Sequence, residues 1–330
     1  MKLLVTGGLG FIGSNFIHKM LTKYPDYEIL NVDAEFLGSN KKNLNLIDAN
    51  TKYEYVKGNI TNKKLMEELI SQSDVVINFA AESFVDRSIS DPNPFLISNF
   101  RGTFTILDII TKQKKRMVHI STDEVFGSLS NGTADEKSKF NPSSPYAATK
   151  AAAELLINSY SITYNSDVVI TRCTNNFGPR QFTEKLIPKI IILANKNLKI
   201  PIYGEGKNIR DWIFVDNHCD AVEMALFNGK SGESYNISAD NEIDNITIVK
   251  KILEIMNKSE DLIEFVEDRP GHDFRYSMSS KKIANELKWK ITTNFEKGLE
   301  KTVEWYLANP EILNNISQTV LNPTPWKNNQ

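Results

Sequence analysis

The sequence predicts an α/β protein, with a doubly wound parallel sheet followed by a smaller mixed α/β lobe in the C-terminal half. Three observations support this prediction. In the first half, apolar β-branched runs alternate with helix-length amphipathic segments, a glycine-rich turn follows the first run, and an aspartate ends the second. This rhythm is typical of parallel strands that are covered by helices on both faces.

Each predicted strand of this sheet is a short apolar run bounded by turn or helix signals. The six runs span residues 2–6, 28–33, 53–57, 75–79, 117–121 and 168–172. Two longer apolar segments, 95–110 and 146–164, have the length of helices, and Pro145 marks the start of the second. Together these elements predict the layered sheet of a Rossmann-type domain.

The second half of the chain is less regular. Pro188, Pro201 and glycine-containing turns at 203–206 and 228–232 interrupt it. A strand-like run and a helix within 211–228 have the pattern of a segment that rejoins the first lobe. We therefore predict one domain over residues 1–180, with 211–228 returning to it, and a second lobe mainly over 181–330.

Composition narrows the classes of function. The 330 residues are 41% hydrophobic and 24% charged, and 39 Lys and Arg nearly balance 41 Asp and Glu, which argues against a nucleic-acid partner. No apolar run approaches ~18 residues, and Met1 leads almost directly into the first strand, so we expect a cytoplasmic protein without a signal peptide or membrane anchor. Cys173, Cys219 and four scattered histidines have no metal-ligand spacing, so we expect neither a disulfide framework nor a metal.

The glycine-rich turn predicts a dinucleotide site. Gly7, Gly10 and Gly13 stand three residues apart where the first strand passes into a helix, so that backbone amides can reach a pyrophosphate at the helix N-terminus. Asp33 follows twenty residues after Gly13, at the end of the second strand. A carboxylate there accepts hydrogen bonds from ribose hydroxyls and repels a 2′-phosphate, which favours NAD over NADP.

Tyr146 and Lys150 are the predicted reactive pair. They stand four residues apart on the helix that Pro145 opens, so both side chains share one face. An ammonium beside a phenol, with a positively charged nicotinamide nearby, stabilises the phenolate and lowers the tyrosine pKa. Such a phenolate is a base for a sugar hydroxyl.

These motifs belong to a longer set that carries a family resemblance. The chain resembles the extended short-chain dehydrogenase/reductases and, within them, the dTDP-glucose 4,6-dehydratases among the nucleotide-sugar dehydratases. The matching segments run through most of the chain and are residues 7–13, 79–83, 85–88, 121–125, Tyr146 with Lys150, 175–179, 184–188, 210–212 and 269–273. Their combination is specific, although any one of them alone is weak.

The resemblance implies NAD-dependent loss of water from a nucleotide hexose, with formation of a 4-keto-6-deoxy sugar. Tyr146, assisted by Lys150, would remove the C4 hydroxyl proton as hydride leaves C4, and Thr122 would hydrogen-bond the C4 oxygen. Glu124 would remove the C5 proton, and a protonated Asp123 would assist departure of the C6 hydroxyl. Simple oxidation of an alcohol requires neither the Asp123 carboxyl nor the Glu124 carboxyl. A plainer interpretation is that Asp123 and Glu124 form an exposed turn.

The resemblance also implies the ligand contacts and the assembly. The implied NAD contacts are Gly7, Gly10, Phe11, Ile12, Gly13, Asp33, Asn59, Ile60, Ala80, Ala81, Asn99, Tyr146 and Lys150. The implied nucleotide-sugar contacts are Ser83, Thr122, Asn175, Lys185, Leu186, Arg210, Asn245, Arg269 and His272. A homodimer is implied through helices that include 95–110 and 146–164.

Departures from the family pattern leave the substrate open. Phe84 stands where the family usually has His, Phe126 where it has Tyr, and Asn59 where it has Asp. A UDP-glucose or UDP-N-acetylglucosamine 4,6-dehydratase therefore remains an alternative. A nucleotide-sugar 4-epimerase or decarboxylase would not explain Asp123 and Glu124, and a non-catalytic NAD-binding protein would be expected to have lost part of the reactive set.

Overall fold

The computed structural model describes residues 1–45, 47 and 49–314. Within them the strands are β1 (Lys2–Thr6), β2 (Glu28–Asp33), β3 (Tyr53–Lys57), β4 (Val75–Asn78), β5 (Arg116–Thr122), β6 (Val168–Cys173), β7 (Asn175–Phe177), β8 (Ile200–Tyr203), β9 (Ile209–Phe214), β10 (Ser234–Ile237), β11 (Glu242–Asp244) and β12 (Ile263–Val266). The α-helices are α1 (Phe11–Lys23), α2 (Lys63–Ser71), α3 (Val85–Ser90), α4 (Asn93–Phe95), α5 (Thr103–Gln113), α6 (Pro145–Tyr164), α7 (Leu186–Asn195), α8 (Val215–Asn228), α9 (Asn245–Ile255), α10 (Lys281–Leu287), α11 (Phe295–Leu307) and α12 (Pro310–Asn314). A π-helical segment, Leu96–Gly102, joins α4 to α5.

Seven parallel strands form the central sheet in the order β10-β6-β5-β4-β1-β2-β3. The predicted Rossmann-type sheet is confirmed, and its strand order reverses between β1 and β4. In open α/β sheets, ligands bind outside the carboxyl ends of the strands at such a reversal. Thr6, Asp33, Thr122 and Cys173 end four of these strands, so the chain that follows each of them lies at this one edge.

Helices cover both faces of the sheet with separate apolar cores. On one face, Phe16 and Ile17 of α1 pack with Val222 of α8. On the other, Met66 of α2 and Ile106 of α5 pack in a second cluster. All five of these side chains are fully buried, and burial of each contributes ~1.5–3 kcal/mol to folding. The two cores hold the strand ends of the binding edge in fixed positions.

The seventh strand, β10, was not predicted because polar residues interrupt its apolar pattern. Ser234 and Asn236 face Arg172 on neighbouring β6, which donates to Ser234 Oγ at 3.3 Å and to Asn236 Oδ1 at 3.1 Å. Arg172 also forms a fully buried ion pair with Glu154 of α6 at 2.7 Å. The polar side chains of β10 therefore satisfy a buried guanidinium rather than face solvent.

The second lobe contains a three-stranded sheet, β11-β9-β7, and a two-stranded sheet, β12-β8, packed with α7, α9 and α11. The segment 211–228 divides between the lobes. Its strand residues belong to β9 in the small sheet, whereas α8 packs on the central sheet. There, Glu223 of α8 accepts from Lys23 Nζ of α1 at 2.5 Å. The domain limits stay a prediction, and residues 315–330 of the second lobe lie outside the described part. In the part of the chain that is described, no helix combines the length and the apolar character needed to cross a bilayer.

Candidate active site

Two adjoining pockets lie at the carboxyl edge of the central sheet. Every predicted NAD contact except Asn99 lines the first pocket. Apart from Ser83 and Thr122, which face the first pocket, every predicted nucleotide-sugar contact lines the second, a cavity of about 560 Å³ within the ~300–1,000 Å³ usual for small-molecule sites. Six residues line both pockets: Leu37, Glu82, Phe84, Glu124, Asn175 and Lys185. The fold therefore places two adjoining cavities against a shared wall at this edge of the sheet.

The glycine turn is shaped by close backbone contacts. Gly7 adopts φ +71°, and a Cβ there would lie 2.7 Å from the Ala80 backbone. A Cβ on Gly13 would lie 2.5 Å from the Gly7 carbonyl oxygen. Gly10 caps α1 without a side-chain hydrogen bond, so the first amides of that helix remain available to a ligand. The turn thus fits the diphosphate of a dinucleotide, which needs bare backbone and the positive end of a helix.

Replacing Gly13 by alanine should prevent NAD from binding at this turn. The added methyl group cannot avoid the Gly7 carbonyl, because that carbonyl is backbone and belongs to the same turn. We expect NAD content after purification to fall at least ~10-fold, with a loss of ~1–3 kcal/mol in stability from overpacking. Cofactor content by absorbance and thermal unfolding would measure both effects. Normal NAD content in the variant would contradict the assigned position of the diphosphate.

Asp33 is fixed at the end of β2 by three donors. Its Oδ2 accepts from the Leu9 amide at 3.0 Å, and its Oδ1 accepts from the Glu35 amide and from Ser39 Oγ, both at 2.8 Å. The carboxylate nevertheless lines the pocket. Because a carboxylate offers about four lone-pair sites, acceptor capacity remains for a ribose hydroxyl.

Asn99 lies behind the pocket wall rather than in it. Its Oδ1 accepts from the Glu82 amide at 2.8 Å, and its Nδ2 donates to the Glu82 carbonyl at 3.0 Å and to Thr149 Oγ1 at 3.1 Å. Its neighbour Ser98 lines the pocket instead. The buried amide therefore ties the loop after β4 to helix α6, and no direct cofactor contact follows from its placement.

Tyr146 and Lys150 both line the first pocket from α6. The Ser144 hydroxyl caps this helix by accepting from the Ala147 amide at 3.1 Å, and Lys150 Nζ donates to the Ile120 carbonyl at 2.6 Å. Burial lowers the pKa of Lys150 to about 8. Burial raises the pKa of Tyr146 well above its usual value, and the Glu124 carboxylate adds to the rise. The predicted lowering of this pKa depends also on the positive charge of a nicotinamide, so it stays a prediction.

Thr122 ends β5, Asp123 and Glu124 follow it directly, and all three line the first pocket with Tyr146. Asp123 is only 3% exposed, which excludes the exposed-turn interpretation for it. Its Oδ1 accepts from Thr122 Oγ1 at 3.1 Å, whereas its buried Oδ2 has no hydrogen-bond partner among the described residues. Burial and the neighbouring Glu124 raise the pKa of Asp123 well above its usual value, which favours the neutral form of this carboxyl.

Glu124 lies at the junction of the two pockets. Burial raises its pKa, while the cations Arg269, Lys185 and Arg210 oppose that rise. The two adjacent carboxyl groups therefore stand in different surroundings: Asp123 in a site that favours its neutral form, and Glu124 facing three positive charges. Surroundings that push the pKa values of two carboxyl groups apart let one group serve as acid and the other as base.

Basic side chains line the second pocket together with acidic ones. Arg269 pairs with Asp86 at 2.5 Å, and Arg210 donates to the Asp273 carbonyl at 2.9 Å while its guanidinium lies 4.3 Å from the centre of the Tyr276 ring. Burial lowers the pKa of His272 to about 4, so this residue is a neutral hydrogen-bonding group. Two arginines and Lys185 suit a diphosphate.

Several lining residues of this pocket were missed by the sequence reasoning. Asp86, Lys189, Tyr203 and Tyr276 all line it. Asp86 stood within a quoted motif, but its partner Arg269 is 183 positions away, so only the fold shows the pairing. Tyr203 precedes the Gly204 turn and lies in β8, where nothing in its immediate sequence distinguishes it from a core aromatic residue.

Comparison with known proteins gives the family. The family model described as GDP-mannose 4,6 dehydratase matches residues 4–302. The chain belongs to this family. It is 44% identical over 312 residues to a low-salt glycan biosynthesis protein of Haloferax volcanii, and the match covers 94% of this chain and 100% of that one. It is 42% identical over 315 residues to a dTDP-glucose 4,6-dehydratase of Actinoplanes, and that match covers 94% of this chain and 98% of the relative.

A solved structure agrees with this family assignment. The dTDP-glucose 4,6-dehydratase of Bacillus anthracis, crystallised in complex with NAD, superposes with a TM-score of 0.89 at 43% identity, covering 94% of this chain and 98% of that one. The resemblance that the motifs indicated is thereby confirmed. The match extends through both lobes, so it includes both pockets.

Proposed function

We propose that the protein is an NAD-dependent nucleotide-hexose 4,6-dehydratase that converts dTDP-glucose into dTDP-4-keto-6-deoxyglucose and water. The observation that carries this proposal is the Asp123 and Glu124 pair, which lines the first pocket together with Tyr146, while Glu124 also lines the second. Relatives that are named dTDP-glucose 4,6-dehydratases support the choice of substrate. The proposal includes the cytoplasmic location predicted from the sequence.

The first pocket would hold NAD. Gly7, Gly10 and Gly13 would bind its diphosphate, Asp33 the adenosine ribose, and Tyr146 with Lys150 would border the nicotinamide. NAD bound there would supply the acceptor for the hydride from C4 of the sugar and the donor of the same hydride to C6. The positive charge of the oxidised nicotinamide also favours the phenolate, which offsets the effect of burial on Tyr146.

Tyr146 would act first, as the base that takes the C4 hydroxyl proton. Lys150, held by the Ile120 carbonyl, places its charge on the same helix face one turn away. Thr122, which lines the same pocket as Tyr146, would hydrogen-bond the C4 oxygen. The ketone formed at C4 acidifies the hydrogen at C5.

The two carboxyl groups would then divide the elimination of water. Glu124 would take the C5 proton as a carboxylate. Asp123, neutral and with a buried Oδ2 that has no partner among the described residues, would give its proton to the departing C6 hydroxyl. An epimerase has no use for this acid, since it removes no hydroxyl group.

The second pocket would hold the nucleotide and its diphosphate. Arg210, Arg269 and Lys185 supply the positive charge, and Leu186, Asn245 and His272 complete the wall together with Asn175. Ser83 lines the first pocket and would contact the sugar from there. This arrangement would place the hexose beside Glu124, which lines both pockets.

Product analysis tests the proposal. The purified protein would be incubated without added reductant, separately with dTDP-glucose, UDP-glucose and UDP-N-acetylglucosamine, and the products measured by mass spectrometry. We expect dTDP-glucose to lose the mass of one water. Loss of water from a UDP-sugar alone would assign that sugar as the substrate in place of dTDP-glucose. Unchanged mass with all three would favour an epimerase, whose products are isobaric with their substrates.

The homodimer is a further part of the proposal. Leu96 and Phe104, on the π-helical segment and α5, are 52% and 42% exposed, and Leu155 and Ile162 of α6 are 60% and 86% exposed. These apolar side chains lie on the two helical regions that the sequence analysis assigned to the interface. Such a concentration is typical of a subunit contact.

A charge placed on this surface should therefore separate the subunits. We expect Leu155→Glu to give a monomer at concentrations where the wild type is dimeric, because a buried carboxylate without a partner costs several kcal/mol. Light scattering after size exclusion would measure the mass. Phe265→Glu, at a 59% exposed position on β12 of the other lobe, is the control and should leave the dimer intact. A wild-type protein that is already monomeric would overturn this part of the proposal.

A further inference from the structure

Phe84 lies at the junction of the two pockets. It caps the N-terminus of α3, is 8% exposed and lines both cavities. The mechanism assigns it no role, and its ring carries no group that could react with a sugar. A large aromatic side chain at the wall between cofactor and substrate nevertheless determines what its neighbours can do.

The principal neighbour of the Phe84 ring is Lys185. Its Nζ lies 4.7 Å from the ring centre and also donates to the Ser83 carbonyl at 2.8 Å. The Arg87 guanidinium is farther from the ring centre, at 5.8 Å, and Phe182 meets the ring edge-on with centroids 5.4 Å apart. The lysine ammonium is thus held by a backbone carbonyl and an aromatic face, the two kinds of group that attract a cation without neutralising it.

The position of this ammonium matters because of what surrounds it. Lys185 lines both pockets and interacts electrostatically with Glu124, Asp86 and Arg269. It therefore interacts both with the carboxylate assigned to C5 of the sugar and with an arginine assigned to the diphosphate. An ammonium that moved toward Glu124 would pair with that base and leave the diphosphate.

We propose that Phe84 is a positioning residue whose ring holds the Lys185 ammonium at the pocket junction, where it binds the diphosphate of a nucleotide sugar. This inference rests on the proposed function, because it takes the second pocket as the nucleotide site. It assigns the ring an electrostatic role in addition to its packing. Weakening the negative electrostatic potential of the ring face, with little change in the size of the ring, separates the two roles.

Progressive fluorination of Phe84 makes that separation. Mono-, di- and trifluorinated phenylalanines would be incorporated at position 84 of the full chain, and dTDP binding measured by calorimetry. We expect the dissociation constant to rise stepwise, by about 3- to 30-fold for the trifluorinated ring, as for loss of a largely desolvated cation–π contact. In turnover, KM for dTDP-glucose should rise in parallel while kcat changes less than about twofold.

Two controls assign the effect to Lys185. Trifluorination of Phe182, the neighbouring ring of the same pocket, should leave the dissociation constant within about twofold, as for a ring without this role. The stepwise series at Phe84 should also persist in an Arg87→Met background. A series that disappears there shows that the ring acts through Arg87, and a flat series in the wild-type background shows a packing role only; either result overturns the inference.

Failure of the proposed function would look different. Tight dTDP binding without any dehydration would contradict the assigned reaction and leave the role of Phe84 to be decided by the fluorine series. Absence of dTDP binding by the unmodified protein would overturn the nucleotide site, and with it both proposals.

Discussion

Replacing Glu124 by glutamine is expected to reduce dehydration ~10²- to 10⁴-fold, the usual contribution of a positioned general base. The amide keeps the size of the side chain but cannot accept the C5 proton. Oxidation at C4 should survive, because it depends on Tyr146 and Lys150. The variant should therefore convert bound substrate to a 4-keto hexose, seen as a rise in the absorbance of reduced nicotinamide, and release almost no 4-keto-6-deoxy product.

Exchange with heavy water identifies the lost step. In deuterated solvent, the wild-type protein should incorporate deuterium at C5, and Glu124→Gln should not. Asp135→Asn is a matched control, since it makes the same change at an exposed carboxylate eleven residues further along the chain. It should retain full turnover. Unchanged turnover or C5 exchange in Glu124→Gln would remove Glu124 from the mechanism.

Tyr146→Phe is expected to reduce turnover by a similar ~10²- to 10⁴-fold, but at an earlier step. Without the phenol oxygen, no group on α6 takes the C4 hydroxyl proton, so the ketone does not form. No reduced nicotinamide should appear in a single turnover, in contrast to Glu124→Gln. The two variants thus block the reaction before and after oxidation at C4.

The control for this variant lies on the same helix. Tyr164→Phe removes a hydroxyl at the far end of α6, where the side chain is 60% exposed, and should retain wild-type turnover. NAD content and thermal unfolding would show that Tyr146→Phe keeps its fold. A variant that still reduces NAD with substrate bound would show that another group is the base.

Short sequence patterns predicted the features that depend only on neighbouring residues, such as strand limits, a turn and a spacing along one helix. The strands β1, β2 and β3 begin and end at the predicted residues, because β-branched apolar runs bounded by turns leave the chain little choice. The glycine turn and the Tyr146 and Lys150 spacing are equally local, so both could be placed on their elements without coordinates. Asp123 and Glu124 come soon after the predicted strand 117–121, which puts them at the carboxyl edge of the sheet, where ligands bind.

Long-range contacts determine what the sequence could not show. β10 escaped prediction because Asn236 satisfies Arg172, more than sixty residues away in sequence. The raised pKa of Tyr146 comes from burial that several elements produce together. The contact between Phe84 and Lys185 likewise depends on the meeting of the lobes, and no spacing within one segment indicates it.

The central claim is that one active site oxidises C4, eliminates water and returns the same hydride to C6. Incubation of the protein with dTDP-glucose deuterated at C4, in ordinary water and without added NAD or reductant, tests all three parts. We expect a product lighter by one water that carries the label at C6, as located by mass spectrometry and deuterium NMR. Product without the label, or substrate of unchanged mass with its label still at C4, would contradict it.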